Sequence, residues 1–399
     1  MLNSNSAFRW LARFLPFLII ASLRISSQHW LARDLRAIAA LITVLILPGY
    51  ALARLLRLFD RLDNWLDVLS LSAALSWSAG LVLWLLFFFL GFSLRDVSLA
   101  WLGLTFVALI ASAFVPLPVQ LKRRPRRPLL VAGLVLWVVA LTVVAYLWGS
   151  LMGSDSHSYM SWLRNIVAGD VQPGANVTAE WQASYPFFKN LYAPTLLYYA
   201  ISSFLARVDP NWAWTHAATV WTPVMLTVQF SLARRLFRHN AVAYATLLLT
   251  PLAGGLLRTM SRLGNSHSLC NHVLLPMAFW LFLQAVVPRG RRRWWVLAPA
   301  ALIATGLAFE HVPHTNPYLL ATGAFTALHL TNNRRDLFWR GALFILVVLL
   351  LAAPFLWHTW HLAEAYGFDA SEATTSNLDM SRVQRAERFL VLGDENRFI

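Results

Sequence analysis

Strongly apolar runs of about 17–25 residues, the length that crosses a bilayer core, succeed one another along most of the chain. They fall at 8–24, 37–54, 68–92, 98–118, 128–148, 212–233, 240–257, 269–287, 295–310, 316–331 and 339–357. No series of segments of about ten residues alternates as lipid-facing strands do, which excludes a β-barrel. The pattern predicts an all-α polytopic membrane protein with about eleven transmembrane helices. A polar stretch, 149–190, begins directly after the fifth run.

Charge adds an orientation. The net charge of +15 sits mainly in short loops between apolar runs. The clusters are Lys122-Arg123-Arg124-Pro125-Arg126-Arg127, Arg234-Arg235-Leu236-Phe237-Arg238, Arg289-Gly290-Arg291-Arg292-Arg293 and Arg334-Arg335. Alternate counting puts all four on one side, the cytoplasmic side by the positive-inside rule. Cations placed in this way face lipid headgroups, so membrane lipids are expected partners and nucleic acid is not. A further stretch, 191–206, is apolar, Tyr-rich and interrupted by Pro194. A full crossing there would turn the Arg234 cluster outward, so it is expected to lie at the interface or to re-enter as a juxtamembrane helix. Three regions result: an N-terminal transmembrane module over 1–127, a transmembrane core over 128–358 with the outer loop 149–190, and a short outer tail over 359–399. The lone cysteine, Cys270, excludes an intramolecular disulfide. The first apolar stretch shows no small-residue cleavage site and reads as an anchor.

Unusual polar residues gather on the outer side by this count. Gly153-Ser154-Asp155-Ser156-His157-Ser158-Tyr159 heads the long polar stretch, directly after the 128–148 run. A carboxylate at a membrane boundary with an imidazole two residues on is costly to keep and useful for chemistry. Arg258 and Arg262, with His267 nearby, break the positive-inside pattern. Glu310-His311-Val312-Pro313-His314 closes the 295–310 run. Two histidines, His216 and His272, fall inside apolar runs instead. Trp357-His358 and Trp360-His361 read as an interfacial belt.

Asp155, Tyr185-Pro186, and Leu232-Ala233-Arg234-Arg235-Leu236-Phe237-Arg238 followed by Ala243-Tyr244-Ala245-Thr246-Leu247-Leu248-Leu249 together resemble the GT-C superfamily of integral-membrane glycosyltransferases. The resemblance covers residues 128–260 in detail and 261–358 in general character. It implies a bacterial-type plasma-membrane enzyme that takes a sugar from a polyprenyl-phosphate donor to a glycan, lipid or protein acceptor on the extracytoplasmic face. It also makes Asp155 the candidate general base. Many members carry two adjacent acidic residues there, whereas Ser156 follows Asp155 in this chain. About four expected spans also precede residue 128, an addition to the family's usual plan.

The residues themselves leave several roles open. Asp155 is a candidate base or an N-cap of a helix starting near Ser158. His157 orients Asp155, binds a hydroxyl or metal, or simply lies at the interface. Arg258, Arg262 and His267 are candidates for the donor phosphate, the alternative being lipid headgroups. Glu310, His311 and His314 bind substrate hydroxyls or a divalent cation (magnesium or manganese), or pack a loop. The cofactor is otherwise unknown. Two other classes stand beside the enzyme: a non-catalytic assembly subunit with a membrane protein partner, and a lipid or glycan transporter.

Overall fold

The computed structural model describes residues 4–25, 30–62, 64, 66–116, 128–149, 160, 163–164, 166–168, 193–253, 262–287, 296–311, 314–332 and 334–365. Among these there is no strand, and the elements are helices throughout. In order they are α1 (Ser4–Ser22), α2 (Trp30–Leu45), α3 (Leu47–Leu55), α4 (Asp67–Leu90), α5 (Leu94–Ala113), α6 (Pro128–Trp148), α7 (Pro194–Ala206) and α8 (Pro210–Phe237). Then come α9 (Asn240–Ala253), α10 (Ser266–Val286), α11 (Leu297–His311), α12 (Thr315–Thr331) and α13 (Arg335–Ala365). One compact unit covers Met1–Ala352; a second begins at Ala353, where the described residues continue α13 to Ala365.

Among the described residues five segments are long and apolar enough to cross a membrane: Leu31–Leu55, Asp67–Leu85, Leu94–Ala113, Ser266–Val286 and Arg335–Pro354. This is the arrangement of an all-α membrane protein. Where large apolar side chains are exposed they belong on an outer, lipid-facing surface, as with Leu104, Phe106 and Val107 of α5 or Leu343, Leu346 and Leu350 of α13. The helix α8 is different. At 28 residues it is about 42 Å long, and it packs against α2, α4, α6, α7, α9 and α10. Protein surrounds it, so its sequence tolerates His216, Thr219, Thr222 and Thr227 in buried positions.

Local chemistry sets the helix ends. Ser93 caps α5 by accepting the Asp96 N–H at 3.2 Å. Asp209 caps α8, with Pro210 in its first turn. Close approach requires glycine at Gly306, where an added Cβ would enter the Trp77 ring. At Gly49 it would enter the Ser72 carbonyl.

The helices define two ends. At one, Asp67 of α4 accepts the Ser231 hydroxyl of α8 at 2.6 Å, and Arg235 of α8 donates to the Leu283 carbonyl of α10 at 2.9 Å. At the other, Trp84 near the end of α4 meets Phe309, adjacent to Glu310 of α11, with ring centroids 5.1 Å apart. Because α5 starts just after α4 ends, Arg95 belongs to the Glu310 end as well.

The helix α7 has 13 residues, about 20 Å, short of a bilayer core of about 30 Å. Its Tyr198 and Tyr199 rings are buried, and Tyr198 Oη donates to the Trp77 carbonyl at 2.9 Å.

Candidate functional site

Proline shapes the site first. Pro276 of α10 has no N–H, so the His272 carbonyl four residues earlier loses its helical donor. The backbone answers with a π-helical turn over Cys270–Leu274, and the Gln229 amide of α8 donates to the freed His272 carbonyl at 3.2 Å. Within this widened turn, Asn271 stands one turn beyond His267, and its Nδ2 lies 3.1 Å from His267 Nε2.

The end of α11 delivers the rest. Glu310 is fully buried, its Oε2 accepting the Thr195 backbone N–H at 3.0 Å. The Ser266 and Thr195 hydroxyls lie beside the same carboxylate. Among the described residues no cation forms an ion pair with it. A carboxylate kept dry without a counter-charge is costly, which marks it as a functional candidate. His311 is next in sequence, and His311 Nδ1 lies 2.8 Å from His314 Nδ1. His314 Nε2 in turn lies 2.7 Å from Asn271 Oδ1.

The ring tautomers are set by these contacts. Burial, and then the neighbouring His267, lower the His314 pKa to about 4, so its ring is neutral at pH 7. A neutral ring that donates from Nε2 to Asn271 accepts at Nδ1, which makes His311 the donor there. Asn271 then donates onward to His267. The result is a one-way chain of hydrogen bonds from half-buried His311 to exposed His267.

A cavity of about 1170 Å³ opens around the C-terminal turn of α7, whereas Glu310 meets Thr195 in the first turn of that helix. Arg24, Arg36, Arg95 and Arg207 line it, together with apolar side chains including Ile20, Leu99 and Phe204. Arg36 belongs to α2 and Arg95 to α5, while Arg24 and Arg207 stand just past the ends of α1 and α7. Arg36 is 6% exposed and donates to the Ala206 carbonyl at the end of α7, while its Nε has no hydrogen-bond partner among the described residues. Arg207 is held at φ 52°, a left-handed conformation that costs a side-chain-bearing residue about 1–2 kcal/mol. None of the four forms an ion pair among the described residues.

Beside this cavity Asp34 ties three helices together. Tyr146 Oη of α6 donates to Asp34 Oδ2 at 2.6 Å, and His216 Nε2 of α8 stands 3.1 Å from Asp34 Oδ1. The His216 ring stacks on both Tyr146 and Trp212. This cluster fixes the end of α6, the helix that precedes the Asp155 stretch in sequence.

Of the residues expected from sequence, His267, His311 and His314 come together, with Glu310 next to His311. The sequence groups His267 with Arg258 and Arg262 as a phosphate ligand; in the structure its nearest polar partners are Asn271 and the other two histidines. Arg262 is exposed and precedes α10, its carbonyl accepting the Asn265 N–H at 2.9 Å. Asp155, His157 and Arg258 lie outside the described residues. Sequence reasoning missed Asn271, Thr195 and the four cavity arginines. On the expected eleven-span topology Arg24, Arg36, Arg95 and Arg207 would fall toward the outer side, as Arg258 and Arg262 do, and that signal could have found them.

No protein family matches the sequence, and neither a curated protein nor a solved structure matches it. A functional reading therefore stands on these residues and on the motifs of the chain itself.

Proposed function

We propose that the chain is an integral-membrane glycosyltransferase that moves a sugar from a polyprenyl-phosphate donor to a glycan, lipid or protein acceptor at the extracytoplasmic face. The observation that carries this reading is the cavity that joins four arginines to an apolar wall at the C-terminal end of α7, the helix whose first turn meets Glu310. A lipid phosphate asks for both surfaces: guanidinium groups for its oxygens and apolar contact for its chain. Eleven crossings, with α7 as a short inserted helix, would put this end on the outer side together with the Asp155 stretch.

The reaction needs a base for the incoming hydroxyl and a cationic setting for the departing phosphate. As the acceptor oxygen bonds to the sugar C1, the bond from C1 to the phosphate oxygen breaks and its electron pair leaves with the phosphate. The acceptor proton passes to a carboxylate. Asp155 is the candidate for that role, and Glu310 the second carboxylate within the same outer region. Arginines in the cavity hold the phosphate before and after the transfer.

The test is transfer of radiolabelled sugar from a panel of polyprenyl-phosphate donors by the purified protein. Transfer by the parent that collapses in Asp155→Asn supports the reading and the base. Collapse only in Glu310→Gln moves the base to Glu310. No transfer by the parent across the panel overturns the enzyme reading in favour of an assembly subunit or a transporter.

A further inference from the structure

The three histidines offer one ring nitrogen each, all within 4.8 Å of one another. They come from separate places: His267 opens α10, His311 closes α11, and His314 precedes α12. The bodies of α10 and α11 part the first from the second, so the convergence is a product of the fold and not of a local turn. We propose that His267, His311 and His314 form a binding site for a divalent transition metal of the zinc class, with Asn271 positioning His314 from outside the ligand set.

Three features of the site favour this occupant. The first is the ligand type. Imidazole nitrogens suit zinc and its neighbours, whereas magnesium and manganese take oxygen ligands, so the cation expected from sequence changes class. Glu310 offers the only carboxylate adjoining the trio in sequence, and its oxygens already face Thr195 and Ser266. The second is the pair of Nδ1 atoms on His311 and His314, which face each other at 2.8 Å. A single proton joins them, and a cation that displaces it would meet a lone pair on each ring.

The third feature is the support around the rings. A metal-bound histidine commonly donates its other N–H to a fixed acceptor, and His314 Nε2 at 2.7 Å from Asn271 Oδ1 already does this. Asn271 is itself set by the π-helical turn that Pro276 induces. Tetrahedral zinc–nitrogen bonds of about 2.0–2.1 Å set ligand nitrogens about 3.3 Å apart, so the His311–His314 pair opens by roughly half an ångström while His267 draws in. His267 is exposed on its side of the cluster, so rotation of its ring can supply that closure.

Three protein ligands leave a coordination position for water or substrate, the form that zinc takes in catalytic rather than structural sites. Metal binding itself does not rest on the glycosyl-transfer reading, and its test reads the metal and not the reaction.

The experiment uses the full-length protein in detergent micelles, stripped with a chelator and titrated with Co²⁺ as a spectroscopic stand-in for Zn²⁺. One equivalent is expected, with the visible bands of a nitrogen-liganded, four- or five-coordinate ion. His311→Ala and His314→Ala should each abolish those bands. Asn271→Ala should weaken binding about 10–100-fold. His272→Ala, on the same turn but outside the trio, should bind as the parent does. X-ray absorption of the zinc-loaded parent needs no variant and should show three imidazoles. An oxygen-dominated shell, displacement by equimolar Mg²⁺, or binding that survives the triple His267→Ala/His311→Ala/His314→Ala change would overturn the proposal. So would an absence of stoichiometric binding.

Discussion

Arginines stand at both ends of the bundle, Arg54 and Arg235 buried at one and exposed Arg24, Arg95 and Arg207 beside buried Arg36 at the other, and they do different work. At the end marked by Asp67, the Arg235 guanidinium donates to the carbonyls of Leu283 and Val287 at the end of α10, and Arg54 donates to the Val115 carbonyl just past α5 at 2.8 Å. The Val287 and Val115 carbonyls lie past helix ends, and the Leu283 carbonyl accepts the Val287 N–H as well, so these arginines act as caps. At the Glu310 end, Arg24, Arg95 and Arg207 stand around a cavity, and Arg36 alone of the four is tied to a carbonyl among the described residues. The carboxylates repeat the contrast. Asp67 is matched to a hydroxyl, whereas Glu310 sits among hydroxyls, a backbone N–H and histidines with no described cation paired to it. The same residue types therefore read as structural where they close helix ends and as functional where they face space.

The contrast can be broken in several ways, taken here from the largest effect down. Glu310→Gln should lower sugar transfer, and by on the order of 10²-fold or more if Glu310 and not Asp155 takes the acceptor proton. Its thermal midpoint should change little, because the amide still accepts the Thr195 N–H. A large fall in midpoint with proportionate activity would make Glu310 structural. Arg235→Ala should do the reverse. Losing charged hydrogen bonds to buried carbonyls costs about 1.5–3 kcal/mol, seen as a lower midpoint with unchanged transfer per folded molecule.

Smaller effects sharpen the same line. Arg207→Gly removes a left-handed residue's strain and should stabilise the fold by about 1 kcal/mol. It also removes a cation from the cavity, so polyprenyl-phosphate binding should weaken about tenfold. A variant both more stable and weaker in binding is the outcome that a purely structural Arg207 would not give.

The smallest effect is a slope with pH. Burial and His267 hold the folded His314 pKa at about 4, below its ordinary 6.5. The unfolded chain therefore takes up that proton first as pH falls. The contribution is complete above pH 6.5 and is lost progressively between about 6.5 and 4. In chelator-treated protein, the midpoint should fall over that window, and His314→Gln should flatten the fall.

How much of this was legible beforehand depends on distance along the chain. The all-helical membrane class is carried by runs such as 98–118, which correspond to a helix over Leu94–Ala113. Counting crossings is harder, because an apolar run is not a helix length. The 295–310 run yields a helix of 15 residues, Leu297–His311, about 23 Å. Glu310, His311 and His314 stand out in sequence because charge at the end of an apolar run is expensive. Their partner Asn271 does not, since a lone amide in a helix carries no signal until tertiary packing brings it to His314. Pro276 was a readable cause of the π-helical turn, yet the side chains that the turn would aim were not. The cavity arginines come from four separate segments, and no window of sequence contains them together.

On the proposed reading the arginines of the Glu310 end serve a lipid phosphate, while those of the opposite end serve the fold. The most direct measurement is the affinity of a polyprenyl phosphate for the detergent-solubilised parent, for Arg95→Gln, and for Arg54→Gln at the other end. About a tenfold or greater loss is predicted in Arg95→Gln, with parental affinity in folded Arg54→Gln. Equal affinity in all three, or a loss confined to Arg54→Gln, would contradict the claim.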